Sequence, residues 1–463
     1  MNTAEQPEKQ TFREWLKQSF MVKAAVIGIL VLLLLIPSNL IQDLIRERQA
    51  RGEEVSAEIA DKWSGSQLIQ GPVMVLPYKT TVSEKNAAGK YEERDLITNI
   101  YLLPEVLNIG ASVQPRKLHR AIFDAVVYDA KIHTTGKFDA LELQKSDIDP
   151  NRVLWDKAKV VIGLSDLKGL KNNPVIRLEN KSYNVEPDNL SKVFASAEAV
   201  TNDAQNLFEN NLVIRPDLSL SKSTAVSFDF DLDIRGSGDL NFMHLGRTTN
   251  VKASGNWNAP SFTGRYLPDE RKIAGETFDA NWKMTYFNRP FPQQWIGGKS
   301  SLQAKDENAA VFGVKFKLPV DQYQKTMRTA KYAILIILLT FISLLFTELL
   351  IKRSIHVLHY ALIGSAMTIY YILLLSFSEQ MGFNIAYLIA SVATIGLIST
   401  FIASLLRNKK AAAVYAAIIA TFYCFVYVII QLEDLALLFG SIGLFVIVGV
   451  LMHLAARVNL DKK

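Results

Sequence analysis

Hydrophobic residues crowd the last third of the chain into five long runs, 333–351, 357–377, 385–406, 411–430 and 436–455, parted by connections of a few residues. A sixth run, 21–41, stands alone near the start, interrupted only by Lys23. About 20 consecutive apolar residues match the hydrocarbon thickness of a bilayer. Six membrane-spanning helices are therefore predicted, one before and five after a long polar middle. The run 21–41 ends Ile36-Pro37-Ser38-Asn39-Leu40-Ile41, with no small-x-small cleavage site. That predicts a retained anchor rather than a removed signal peptide.

Basic residues predict the orientation. Arg13, Lys17 and Lys23 precede or open the first run. Lys352-Arg353, then Arg407, Lys409 and Lys410, then Arg457, Lys462 and Lys463 fall in alternate connections and in the tail. The intervening connections, 378–383 and 431–435, hold Glu379, Glu433 and Asp434 and no Lys or Arg. The bias of Lys and Arg toward the cytoplasm assigns every loop without conflict. Both termini are expected in the cytoplasm and the polar middle outside. Trp15 sits where an interfacial aromatic belongs, and Tyr332, Tyr370, Tyr371, Phe383 and Tyr387 are expected in an outer interfacial belt.

The polar middle changes period along its length. Residues 46–62 are rich in charge and helix formers, with Val55 and Ile59 four apart, and predict a helix leading away from the membrane, with Gly52 as a point of interruption. Gly71-Pro72-Val73-Met74-Val75-Leu76-Pro77-Tyr78 predicts a short buried strand whose prolines block both ends. Ala88-Gly89 predicts a hairpin turn. Residues 227–235 alternate strictly, placing Phe228, Phe230, Leu232 and Ile234 on one face. Residues 314–320 repeat the device. Weaker strand candidates are 126–132, 159–164, 175–178, 212–214 and 281–287, and 191–209 predicts a helix.

Composition adds limits rather than an activity. The chain has 463 residues, 49% hydrophobic and 21% charged, with a formal net charge of +6. Much of the positive excess flanks the apolar runs, so it reports membrane orientation and gives no cause to expect a nucleic-acid partner. The only cysteine, Cys424, lies inside an apolar run. An intrachain disulfide and a Cys-rich zinc site are excluded.

Chemistry-bearing residues are scattered. His119, His133 and His244 lack ligand spacing in the polar middle and read as surface or satisfied residues. His356 and His359 share a helical face, and with His453 and Glu348 they lie toward one membrane boundary. Ionisable groups within spans default to a functional hypothesis, but near the boundary they reach headgroups or water, which is the expected role here. Asp229, Asp231 and Asp233 form a row on one strand face. An exposed row of like charge is expected rather than a calcium site, whose ligands curl in a loop. Trp63-Ser64-Gly65-Ser66-Gln67 offers hydroxyls but no nearby base, and nucleophile-elbow, Walker and HExxH motifs are absent. No catalytic, cofactor-binding or metal residue is assigned.

Several stretches in order resemble the CreD family of bacterial inner-membrane proteins. They are Trp63-Ser64-Gly65 through Gly71-Pro72-Val73-Met74-Val75-Leu76-Pro77-Tyr78, Gly264-Arg265-Tyr266-Leu267-Pro268 with Asn288-Arg289-Pro290-Phe291-Pro292-Gln293, and Pro319-Val320-Asp321-Gln322-Tyr323 into Arg328 and Lys331-Tyr332-Ala333. Ser376-Phe377-Ser378-Glu379-Gln380-Met381-Gly382-Phe383-Asn384 and Glu433-Asp434 through Gly440-Ser441 are similar to the family's outward loops. Where the family typically has a histidine after Ser-x-Ser-Glu, this chain has Gln380, a further argument against a loop metal site. The resemblance implies a link to cell-envelope integrity in Gram-negative bacteria and, in some of them, to a regulon under two-component control; it brings no catalytic residues.

The expected architecture is a cytoplasmic tail (1–20), an anchor (21–41), a large antiparallel β-rich periplasmic domain built as a sandwich or extended twisted sheet (42–329), five transmembrane helices (330–456) and a cytoplasmic tail (457–463). The expected function is non-enzymatic, in envelope integrity or envelope-stress response. One alternative is a lipid or polymer handler with an apolar groove at Phe228, Phe230 and Val75. Another is an intramembrane metalloenzyme using His356, His359, His453 and Glu348. Membrane lipids are the expected partners, with envelope glycan, lipid or protein as further candidates. No cofactor is expected.

Overall fold

The computed structural model describes residues 20–85, 91–120, 122–143, 148–188, 210–219, 224–297, 309–316, 322–351, 354–432 and 435–457. The chain forms two compact units, Glu54–Pro319 and Met1–Glu53 with Val320–Lys463. Ala88-Gly89 and residues 191–209 lie outside the described residues, as do Trp15, Lys352-Arg353 and Glu433-Asp434.

The first unit is built from strands. In chain order they are β1 (Gln67–Lys85), β2 (Tyr91–Leu102), β3 (Val106–Arg120), β4 (Phe123–Phe138), β5 (Lys159–Leu164), β6 (Val175–Leu178), β7 (Lys181–Asn184), β8 (Glu186–Asp188) and β9 (Asn211–Ile214). Then follow β10 (Val226–Ser237), β11 (Asp239–Met243), β12 (Thr248–Gly255), β13 (Pro260–Gly264), β14 (Glu270–Ala274), β15 (Thr277–Met284), β16 (Gln294–Ile296) and β17 (Val311–Phe316). A nine-stranded sheet has the order β13-β17-β11-β1-β5-β9-β8, with β2 on β1 and β16 on β2. An eight-stranded sheet has the order β14-β15-β12-β3-β4-β10-β6-β7.

Both sheets are mixed, which corrects the antiparallel expectation: β1 pairs with β11 in parallel, and so does β3 with β12. A parallel pair needs a long connection, and the chain between these partners supplies one. The strand with blocked ends is also corrected. β1 runs 19 residues through both Pro72 and Pro77. At Pro72 its register against β5 shifts between Gln70 and Val73, and a bulge is where a missing N–H is tolerated.

Alternation in β10 works as read: Phe228, Phe230, Leu232 and Ile234 are all buried. They join one core shared by both sheets, with Val75, Leu107, Val161, Phe242, Trp282 and Phe312. Rings cross between the sheets, Trp282 to Phe312 at 5.5 Å and Tyr128 to Phe316 at 5.4 Å between centroids. Such pairs prefer tilted and edge geometries, as here.

The helices are α1 (Phe20–Trp63), α2 (Gln322–Lys331), α3 (Ala333–Ile351), α4 (Val357–Met381), α5 (Phe383–Leu406), α6 (Lys409–Gln431) and α7 (Ala436–Arg457). α1 is one helix of 44 residues with Pro37 inside it; the helix expected at 46–62 is present, and only its interruption at Gly52 is corrected. A lone Gly such as Gly52 costs only about 1 kcal/mol in a helix, too little to break one flanked by strong formers. Among the described residues, four helices are long and apolar enough to cross a membrane: Met21–Trp63, Val357–Met381, Phe383–Leu406 and Lys409–Gln431. The pair Gln322–Lys331 and Ala333–Leu349, bent by 42°, makes a fifth if counted as one span, and Ala436–Val450 is a shorter apolar helix.

Candidate functional site

The open face of the eight-stranded sheet carries the widest set of polar side chains in the β unit. Its register lines them up in rows across the strands. One row runs Glu270, Asn281, Lys252, Gly110, His133, Asp231. The next runs Lys272, Asp279, Ser254, Ser112, Lys131, Asp233. The smallest residues, Gly110, Ser112 and Ser254, fall at the centre, while lysines and acids rise on either side. Three hollows result, of about 430, 700 and 540 Å³. The first two share Gly110, His133 and Lys252; the first and third share Ser112 and Ser254.

The row of acids on β10 is not a bare stripe of like charge. Arg177 bonds Asp229 at 2.8 Å and His133 Nδ1 lies 2.8 Å from Asp231. Asn172 donates to Asp231 O at 3.3 Å and accepts from Asp233 N at 3.0 Å. Next to the row, Lys171 bonds Asp129, which holds the lysine's pKa above its ordinary range. The ligand atoms of His133, Asp229 and Asp231 do come within 4.8 Å of one another. Arg177 shares Asp229 with that trio. His119, paired with Asp124, lies at the far ends of β3 and β4.

The stretches that resemble family motifs fold into buried knots. Ser64 and Gln67 are fully buried. Ser64 Oγ donates to Asp166 Oδ2 at 3.1 Å, and Gly65 N reaches the same oxygen at 3.1 Å. A carboxylate therefore does stand beside this hydroxyl, brought from a hundred residues away, and the expectation that Ser64 has no nearby base is corrected. Yet the group is enclosed and spent on structure. Trp63 lies between two cations, Arg116 at 4.8 Å and Arg235 at 5.2 Å from its ring. In the second motif, Arg289 is buried and donates to Phe291 O, Leu245 O and Gln293 Oε1 at 3.0, 2.7 and 2.9 Å. Burial pulls its pKa down to about 10. Nearby His244 bonds Thr249 and Thr285, and burial drives its pKa down to about 4. The polar groups of these motifs are bonded within the fold.

Of the four residues of the metalloenzyme alternative, His356 and His359 stand together, their ring centroids 6.3 Å apart, while Glu348 has other partners. Glu348 pairs with Lys23 and accepts from Tyr360 OH at 3.1 Å, while Lys23 also donates to Ile355 O at 2.6 Å. His356 caps α4, its Nδ1 accepting from Leu358 N at 3.2 Å. His359 packs on Phe401 at 5.8 Å, and His453 is exposed on α7. The interfacial belt is corrected too. Tyr370, Tyr371 and Tyr387 are buried, and Tyr370 packs on Tyr371 and Tyr423 at 4.8 Å each. A ring between helices buries more area than one at a boundary, and Tyr387 OH satisfies itself on Tyr423 O at 2.7 Å.

Phe228, Phe230 and Val75 sit in the packed interior of the β unit, not in a groove. The internal hollow lined by Met74, Leu76, Phe138 and Trp155 holds only about 10 Å³, roughly one water-sized probe and no room for an acyl chain. Sequence reasoning missed the open face because its residues are small or polar one by one. The signal was the alternation of Asn108, Gly110 and Ser112 with Leu107, Ile109 and Ala111.

Comparison with known proteins agrees with this architecture. A family model described as inner membrane protein CreD matches residues 19–461. Inner membrane protein CreD of Escherichia coli (strain K12) is 27% identical over 433 residues, covering 93% of this chain and 91% of the relative. The match embraces both the β unit and the apolar helices, so this chain belongs to the CreD family of multi-pass inner-membrane proteins.

Proposed function

We propose that this protein is non-enzymatic and serves cell-envelope integrity by binding envelope material through its β unit. In this reading one amino-terminal and five carboxy-terminal spans hold that unit on the periplasmic side, and both termini lie in the cytoplasm. The basic residues of the alternate connections support the orientation. The pair Lys23–Glu348 joins the start of α1 to the end of α3, which supports placing those two helix ends on the same side of the membrane.

The observation that carries the function is the hollowed polar face of the eight-stranded sheet, beside which the core hollow at Met74, Leu76, Phe138 and Trp155 holds only about 10 Å³. Binding residues are expected there, not in the apolar core. Native mass spectrometry of protein gently extracted from membranes tests this, with metal analysis on the same sample. A bound envelope component without turnover is expected. Turnover of a lipid or glycan by the purified protein overturns the non-enzymatic reading. Chelation-resistant metal lost in His356→Ala/His359→Ala redirects it to the helical unit.

Orientation has its own test. With Cys424→Ser as background, Lys131→Cys is expected to react with an impermeant maleimide in spheroplasts, and Lys409→Cys only after permeabilisation. The reverse pattern overturns the orientation.

A further inference from the structure

We infer that the open face of the eight-stranded sheet takes an uncharged, amide- and hydroxyl-bearing glycan chain laid across its strands. The inference rests on the proposed binding role of the β unit and names the ligand class.

Charge decides the first point. Four lysines and five carboxylates line the three hollows. A site for a polyanion concentrates Lys and Arg and excludes acids, since its affinity comes from neutralised phosphates. This lining is balanced instead, and along the second row the signs alternate from Lys272 to Asp279 and from Lys131 to Asp233. Neither a polyanion nor a polycation gains from it.

Side-chain type decides the second. The aromatic rings that border the hollows, Trp282 and Phe278, are buried in the core and offer no exposed platform. Stacking of nucleic-acid bases is thereby disfavoured, and so is a protein interface, whose centre is enriched in aromatic residues. What faces the hollows is amide, hydroxyl, imidazole, ammonium and carboxylate. Among the described residues, the hydroxyls of Ser112 and Ser254 and the ammonium of Lys131 have no protein partner. Donors and acceptors closely mixed in this way match a ligand that presents both at every unit, as an N-acetylated sugar does.

Shape decides the third. The rows cross six strands from β14 to β10, about 24 Å at ordinary strand spacing, and the hollows adjoin through shared residues. An extended chain of several sugars fits that course better than a compact metabolite. Gly110 lies in the floor shared by the hollows of about 430 and 700 Å³, and a Cβ there would meet nothing closer than His133 O at 4.0 Å.

That last fact supplies the test. Gly110→Gln projects a side chain into the floor without disturbing the backbone. Full-length protein in detergent micelles is titrated with chitotetraose, with heparin as the anionic control. Saturable binding of chitotetraose is expected, at least about tenfold weaker in Gly110→Gln and little changed by salt, with unaltered thermal melting. Ser254→Ala, which removes only a hydroxyl, is expected to weaken it less. Absence of saturable chitotetraose binding overturns the inference, as does equal binding by Gly110→Gln or salt-sensitive preference for heparin. If native mass spectrometry then shows some other component displaced by Gly110→Gln, the ligand class fails while the binding role stands. If nothing bound is found and Gly110→Gln supports envelope integrity as the unaltered protein does, both fail.

Discussion

Gln67 and Asp166 hold each other by reciprocal bonds: Gln67 Nε2 donates to Asp166 O at 2.8 Å, and Asp166 N donates to Gln67 Oε1 at 3.3 Å. The same Nε2 lies 2.9 Å from Ser64 Oγ and 3.3 Å from Arg235 O. One buried amide thus joins the end of α1, the turn after β5 and strand β10. Gly169 and Gly236 leave room for it, since a Cβ on Gly169 would stand 2.4 Å from Gln67 Nε2.

Removing that amide strands several buried polar groups at once. Gln67→Ala is expected to destabilise the β unit by about 3 kcal/mol, the sum of unsatisfied groups and a cavity. Gly169→Ala is expected to destabilise it as well, by displacing the amide. Chemical denaturation of the full chain, followed by tryptophan fluorescence, checks both; a loss under about 1 kcal/mol for Gln67→Ala would contradict the knot.

His244 makes stability depend on pH in a definite direction. Its pKa falls from 6.5 to about 4 because burial penalises the charged ring. Above pH 6.5 the ring is neutral folded or unfolded, and nothing is lost. Between 6.5 and about 4 the unfolded chain takes up the proton and the folded chain resists, so stability falls as pH falls. The loss amounts to roughly 3 kcal/mol at the bottom of that window. His244→Gln is expected to flatten this part of the curve, though its midpoint at pH 7.5 drops because the bonds to Thr249 and Thr285 change. Denaturation midpoints of both proteins from pH 7.5 to 4 give the comparison.

Legibility followed how local each signal was. Phe228 and Phe230 could be placed by alternation alone, because a strand's faces are set by period two. Gly110 and Lys131 could not, since their common face exists only through the register of β3, β4, β10 and β12. Arg289 and Gln67 stood inside recognisable motifs, yet nothing local shows that a polar side chain will be buried by partners far along the chain. Tyr370 was misplaced because a position near a helix end fits an interfacial ring and an interhelical one equally well. Lys23 entered the orientation reading only as a charge at the start of a span; its pairing with Glu348 needed the packing of α1 on the bundle.

That pairing carries its own consequence. A buried ion pair adds little net stability, but breaking it leaves an uncompensated charge. Lys23→Met is therefore expected to cost about 3–5 kcal/mol, with Glu348 left to Tyr360 alone. The double variant Lys23→Met/Glu348→Met is expected to recover most of the loss. Thermal melting in micelles measures both, and equal destabilisation in single and double variants would contradict a charge effect.

At the opposite end of α3, helix α2 is latched onto the bundle by two polar contacts. Tyr323 OH donates to Glu379 Oε1 at 3.2 Å, and Lys325 Nζ donates to Gln431 Oε1 at 2.9 Å. Gln431 Nε2 passes the chain on to Asn384 Oδ1 at 2.7 Å, and Lys325 also lies over the Phe383 ring at 5.8 Å. Two stretches quoted for their resemblance to the family, one around Tyr323 and one around Glu379 and Asn384, thereby meet. Charge-assisted bonds of this kind contribute roughly 1.5–3 kcal/mol each. In Tyr323→Phe/Lys325→Met the amides of α2 are expected to exchange at least about tenfold faster, the effect of some 1.4 kcal/mol of local stability. Amides in the middle of α5 are expected to stay unchanged, because neither substituted side chain reaches them. Hydrogen exchange by mass spectrometry on the intact protein in micelles resolves the two segments. Uniform acceleration across the bundle would mean that the contacts hold the whole helical unit together, and the latch would be the wrong description.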